Sequence, residues 1–142
     1  RWDGLDKRDD GTIRLRGSLS HYAYGAVAEW VFRVIGGIDL IEPGYKKIRI
    51  QPQPGGKITW AKTRYESIRG AIETDWRVRN GQMTLNVTIP PGVRAEVHLP
   101  CGEITEGNRK IKQAKDIVIR STEDGKTICE IASGVFHFTI RQ

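Results

Sequence analysis

The sequence has few of the residues that most directly carry chemistry: two cysteines, three histidines and one methionine among 142 residues. The cysteines, Cys101 and Cys129, are too few for a disulfide framework and lack metal-site spacing, and whether they pair is left open. There is no His/Glu metal spacing and no glycine-rich phosphate loop, so no metal and no cofactor is expected. No apolar run approaches the about 18 residues of a membrane span, so no membrane partner is expected. The opening, RWDGLDKRDD, is charged and is not a signal peptide. A long basic run is also missing. The 23 Lys and Arg against 17 Asp and Glu leave a net charge of +6. Yet Glu66, Glu73, Asp75 and Glu96 sit among the bases, which reads as a solvated surface and not as a nucleic-acid partner. The chain does not begin with Met, and the stretch reads as a piece of something longer.

What is present points to β-structure. Hydrophobic residues make up 38%, enough for a packed core, and 16 glycines with six prolines suit many turns. From Tyr45 on, short alternating runs are punctuated by turn residues. Asn80-Gly81 suits a two-residue type I′ turn, in which both central residues need positive φ. That turn sets Val78 opposite Met83, Trp76 opposite Leu85, Thr74 opposite Val87 and Ile72 opposite Ile89. Only Thr74 is polar, so turn and pattern choose one register. In all, about eight strands, mostly antiparallel with one polar face, predict a mainly β fold, an antiparallel β-sandwich. One α-helix precedes it. Ala23, Val27, Trp30, Val31, Val34 and Ile35 recur at steps of three and four, one stripe of a helix from Ser20, its N-cap, to about Ile35. Gly36 and Gly37 suit the left-handed turn that ends it. Residues 1–17 read as a loop, and Pro43-Gly44 as a turn at a domain boundary.

Few residues suggest a site. Asp9 and Asp10 are adjacent in the predicted loop and read as solvated. His98 and His137 sit on the polar faces of strands and read as exposed residues, and neither cysteine has a histidine in register to activate it. Asn86-Val87-Thr88 is an N-glycosylation sequon. The first quarter differs. Trp2, His21, Tyr22 and Tyr24 gather rings and an imidazole near a helix start. Rings for sugar C–H faces, with directional hydrogen-bonding groups, are what a sugar site needs. A helix packing its aromatics against neighbours accounts for them equally well.

SLSHYAYGAVAEWVFRVIGGID resembles the S-L-N-H-Y-A-Y-G-A-V-G-E-W-L-Y-R segment of bacterial α-L-rhamnosidases, glycoside hydrolase family seventy-eight. EPGYKKIRIQPQPGGKITWAKTRYESIRGAIETDW resembles that family's P-G-Y-K-x-I-x-I-x-P-x-P segment and the W-A-x-A-x-Y-x-S-x-x-G-x-I-x-x-x-W run after it. RWDGL resembles its W-E-R-W-D segment. The resemblance covers residues 1–91 and then fades into a generic sandwich. Ser20 stands where the family has Asn, Ala28 where it has Gly, and Ile68 where Pro is frequent.

The resemblance implies an (α/α)6 barrel carrying the active site and a C-terminal β-sandwich packed on it. Residues 1–41 would be the end of the barrel domain, a loop plus its last helix, and residues 42–142 the sandwich. The implied activity is hydrolysis of terminal α-L-rhamnose with inversion, by one carboxylic acid and one carboxylate that activates water. The family's base glutamate directly precedes the position of Arg1 and the acid lies further upstream, so no catalytic residue is expected in this chain. His21 would bind rhamnose hydroxyls and Trp2 would line the pocket wall. The implied partners are a rhamnose-containing glycan or glycoside and the catalytic barrel, with a homo-oligomer through the exposed helix as a further possibility. The compartment is left open, with the periplasm or secretion slightly favoured over the cytoplasm. Two other readings are a stand-alone carbohydrate-binding module with Trp60 and Tyr65 as its platform, and a basic nucleic-acid binder. For the module, binding of rhamnose or pectin fragments no tighter than about millimolar is expected.

Overall fold

A computed structural model of the chain describes residues 5–15 and 23–141. It divides into two compact units, Arg1–Trp30 and Val31–Gln142, each taken here by itself. Trp2, Ser20, His21 and Tyr22 lie outside the described residues.

In the first unit, β1 (Leu5–Lys7) pairs antiparallel with β2 (Ile13–Leu15), Leu5 opposite Leu15 and Lys7 opposite Ile13. This corrects the expectation of a loop. The strands are too short to show a period, and the hairpin is closed by local polar bonds. Asp10 Oδ1 accepts from the Thr12 amide at 2.8 Å and the Thr12 hydroxyl at 2.6 Å, a side-chain turn of the kind Asp favours. The unit also contains α1 (Ala23–Trp30).

The second unit opens with a π-helical turn, Val31–Ile35, closed by the Gly36 amide on the Val31 carbonyl at 2.8 Å. A single π turn of this kind often marks a functional position. The remaining strands are β3 (Ile38–Leu40), β4 (Lys47–Ile50), β5 (Trp60–Ser67), β6 (Gly70–Arg79), β7 (Gln82–Ile89), β8 (Arg94–Pro100), β9 (Glu103–Glu106), β10 (Arg109–Lys110), β11 (Ile117–Glu123), β12 (Lys126–Ile131) and β13 (Gly134–Arg141). They form two sheets, ordered β10-β9-β13-β7-β6-β5 and β11-β12-β8-β4-β3. The pairing of β4 with β8 is parallel. The predicted strands all form; β3, β9 and β10 are additional and run two to four residues, too short for alternation to reveal.

The β6–β7 register matches the expectation, with Val78 on Met83, Trp76 on Leu85 and Thr74 on Val87. Asn80 and Gly81 both take positive φ, 48° and 73°. The inward residues of the two sheets make one core, in which Ile48, Ile50, Ile72, Trp76, Leu85, Val97 and Leu99 have no exposed surface. Each such side chain contributes about 1.5–3 kcal/mol by leaving water.

Four successive carbonyls tie the π-helical turn and the residues after it to this sandwich. The Val34 carbonyl accepts the Gln53 amide at 3.0 Å and the Gly37 carbonyl the Gln51 amide at 2.7 Å. The Ile35 carbonyl accepts Trp76 Nε1–H at 2.7 Å and the Gly36 carbonyl the Thr74 hydroxyl at 2.6 Å. A helix end leaves carbonyls without partners of its own, and here the sandwich supplies donors to the last two of the turn, Val34 and Ile35, and to Gly36 and Gly37 after it. Thr74, the one polar residue in the inward row of β6, is thereby explained.

Candidate functional site

The candidate aromatic residues separate into three environments. Trp76 is core. Tyr65 is half-buried, its ring 5.0 Å from that of Tyr45 and 6.1 Å from that of Phe32. This corrects its reading as an exposed platform ring, because the inward face of the edge strand β5 still packs against the turn at Tyr45. Burial, and then a hydrogen bond with Tyr65, push the Tyr45 hydroxyl up to about 12. Sequence reading missed Phe32 and Tyr45; the signal available was Tyr45 next to a Pro-Gly turn.

Trp60, in contrast, is 59% exposed. It stands on the outer face of β5, directly opposite Arg77 on β6. With Thr59, Val78, Arg79 and Asn80 these residues line a shallow depression of about 480 Å³. A second cleft, of about 460 Å³, is lined by Lys46, Lys47, Arg69 and Arg94 with Glu42 and Glu130. Its cations are largely engaged. Arg69 Nε donates to the Gly44 carbonyl at 2.6 Å. Lys47 pairs with Glu96 at 3.5 Å and Arg94 with Glu130 at 3.8 Å.

The two histidines among the described residues, His98 and His137, each bond to a side chain on their own sheet. His137 Nδ1 lies 2.9 Å from Asn86 Oδ1, its cross-strand partner, so His137 donates and the sequon asparagine accepts. The His98 side chain is only 13% exposed and sits 2.7 Å from Glu96, which corrects the expectation that it stands free in solvent. Glu96 belongs to a charge ladder across the outer face of its sheet. Arg49 reaches Asp39 at 3.6 Å, and Glu130 faces Glu96 but is answered by Arg120 at 3.0 Å. The two facing acids are therefore each matched by cations, which like charges directly opposite require.

The hydrogen bond from His98, aided by Lys47, holds the Glu96 carboxyl below its ordinary value of 4.5. A carboxyl depressed on folding adds stability above its unfolded value and loses it as pH falls through the folded one. The melting temperature is therefore expected to decline below pH 4.5. Glu96→Gln should lower stability at pH 7 by about 1 kcal/mol and flatten that decline. An unchanged acid profile in the variant, followed by circular dichroism, would remove Glu96 from the account.

Asp10 and the cysteines sit in ordinary structural settings. Thr12 holds the Asp10 carboxyl low, as a turn requires. Cys129 is fully buried and its thiol is pushed up to about 12 by that burial, the opposite of a nucleophile. Cys101 and Cys129 are both free. Among the described residues, no group of three His, Cys, Asp or Glu is placed to hold a metal. Trp2 and His21, the expected sugar contacts, lie outside the described residues.

The second unit is a two-sheet β-sandwich domain whose strands bond to the π-helical turn before it. The chain belongs to the bacterial alpha-L-rhamnosidase C-terminal domain family, which it matches over residues 37–114. It is 33% identical to an alpha-L-rhamnosidase of Streptomyces avermitilis over 140 residues, 99% of this chain and 13% of that protein. An alpha-L-rhamnosidase of Formosa agariphila is 29% identical over 141 residues, 97% of this chain and 15% of that one. The crystal structure of the Streptomyces avermitilis alpha-L-rhamnosidase complexed with L-rhamnose superposes with a TM-score of 0.75 at 32% identity, covering 94% of this chain and 13% of that one. The structure of an alpha-L-rhamnosidase from Dictyoglumus thermophilum gives a TM-score of 0.75 at 28% identity, covering 86% of this chain and 14% of that one. The chain thus spans about one seventh of the length of the curated relatives it matches.

Proposed function

We propose that this chain is the C-terminal part of a glycoside hydrolase that removes terminal α-L-rhamnose with inversion of configuration. The observation that carries the reading is the family match over the sandwich together with similarity to alpha-L-rhamnosidases along 99% of the chain. In this reading residues 1–41 are the end of the helical barrel, with β3 lent to the sandwich sheet, and residues 42–142 are the C-terminal domain. His21 and Trp2 form part of the rim of the sugar pocket. The two carboxylates that an inverting enzyme needs belong to the rest of the longer protein. The exposed apolar residues of α1, Val27 and Trp30, are covered by that remainder or by a second copy of the chain.

Acid–base groups and the positioning of substrate supply many powers of ten in rate. The purified chain is therefore expected to show no turnover of an aryl α-L-rhamnoside above background. Release of the aryl group well above background would show that the chain carries its own reacting groups and would overturn the reading.

A further inference from the structure

The outer face of the six-stranded sheet uses its charges unevenly. On one part, Arg64 of β5 is bonded to both Glu66 and Glu73. Around Trp60 the pattern breaks. Arg77 and Arg79, on the same face of β6, have no ion-pair partner among the described residues, and neither does Lys62 of β5, although Asp75 is its cross-strand partner. Both arginines are exposed, and no acid lines the depression they share with Trp60.

A large indole left 59% in water beside unpaired cations is not accounted for by packing among the described residues. Burial would favour covering the ring, and the ladder on the other sheet shows that this chain matches cations to acids where structure is the purpose. The backbone beneath is fixed: β5 and β6 are paired from Trp60–Arg77 to Ser67–Gly70, and the Val78 amide extends the ladder to the Thr59 carbonyl at 2.8 Å. The ring and the arginines are thus presented on rigid strands and not on a loop.

The chemistry of these groups selects a ligand. An exposed indole offers a flat apolar face to the C–H side of a pyranose ring. A guanidinium offers a planar pair of donors that fits a carboxylate. The two occupy directly opposite positions of one strand pair, so one acidic sugar is the ligand that uses both. We infer that Trp60, Arg77 and Arg79 form a surface subsite for a uronate residue of an acidic saccharide. The subsite holds the glycan chain and takes no part in bond cleavage. It stands apart from the rhamnose-cleaving reading, since it is read out by saccharide binding and that reading by turnover of an aryl α-L-rhamnoside.

The test is an NMR titration of the full 142-residue chain with trigalacturonate, and with galactotriose as its neutral counterpart. Trigalacturonate is expected to shift the Trp60 indole Nε1–H resonance and to bind with a dissociation constant on the order of a millimolar. Galactotriose should bind at least about tenfold more weakly. Trp60→Ala should weaken trigalacturonate binding at least about tenfold, and the Arg77→Gln, Arg79→Gln pair should erase the preference for the acidic sugar. Three outcomes would overturn the inference. They are no binding, binding that ignores the Trp60 change, and equal binding of acidic and neutral sugars. Equal binding of inorganic triphosphate by the parent and Trp60→Ala chains, with no trigalacturonate binding, would reduce the face to a generic cationic surface. Failure of Trp60→Ala to assemble with the rest of a longer enzyme while sugar binding is absent would assign the face to a protein contact instead.

Discussion

Replacing Trp76 by alanine is expected to leave most of the chain unfolded at 37 °C. The indole has no exposed surface, lies opposite Leu85 on the neighbouring strand, and donates to the Ile35 carbonyl at 2.7 Å. Truncating a buried tryptophan costs about 3–5 kcal/mol through lost burial and the cavity left behind. Leaving a carbonyl without its donor adds about 1–3 kcal/mol. Against a total stability of about 5–15 kcal/mol for an ordinary domain, little remains. The two contributions separate experimentally. Trp76→Phe keeps most of the ring volume and loses the donor. Thr74→Val keeps the shape of the neighbouring residue and loses the donor to the Gly36 carbonyl, at 2.6 Å in the parent. Both should cost about 1–3 kcal/mol in urea unfolding monitored by circular dichroism. If Thr74→Val unfolds with the parent, the tie between helix end and sheet has no energetic weight.

Gly37→Ala should be nearly as damaging, for a different reason, and it has an internal control. Gly37 and Gly81 have the same backbone angle, φ 73°. A methyl group at Gly81 would meet nothing within 4 Å, whereas at Gly37 it would lie 2.1 Å from Pro52 N and 2.5 Å from Pro52 Cα. The strained conformation alone costs an L-residue about 1–2 kcal/mol, which is the expected effect of Gly81→Ala. At Gly37 the two backbones must also part, which breaks the bond from the Gln51 amide at 2.7 Å. A loss of about 4 kcal/mol or more, or failure to fold, is expected there. Equal unfolding midpoints for the two variants would show that the close approach to Pro52 relaxes without cost.

These two positions also show how far the chain could be read before its fold was seen. Period-two alternation and the Asn80-Gly81 turn define β6 and β7 together with their register, because a one-residue slip would turn Trp76 and Leu85 outward. The same pattern marks Thr74 as an anomaly without giving its reason, since its partner is a carbonyl 38 residues away in sequence. Gly36 and Gly37 read as a helix stop, and Gly37 is one. Gly36 serves another purpose: a methyl there would fall 2.7 Å from the Thr63 hydroxyl, a contact between distant segments that no local pattern announces. The short strands β1, β2 and β3 escaped detection because three residues hold less than two periods. His98 looked exposed by strand parity, but parity says which face a side chain is on and not what covers that face. The aromatic platform was half legible. Trp60 and Tyr65 lie an odd number of residues apart on one strand, so they must point to opposite faces.

The four carbonyl bonds at residues 34–37 also determine how the chain carries mechanical load. Two of the donors, Thr74 and Trp76, come from one sheet, and two, Gln51 and Gln53, follow directly on a strand of the other. A pull on the π-helical turn is therefore shared between both layers of the sandwich, since its carbonyls and those just after it are held from each.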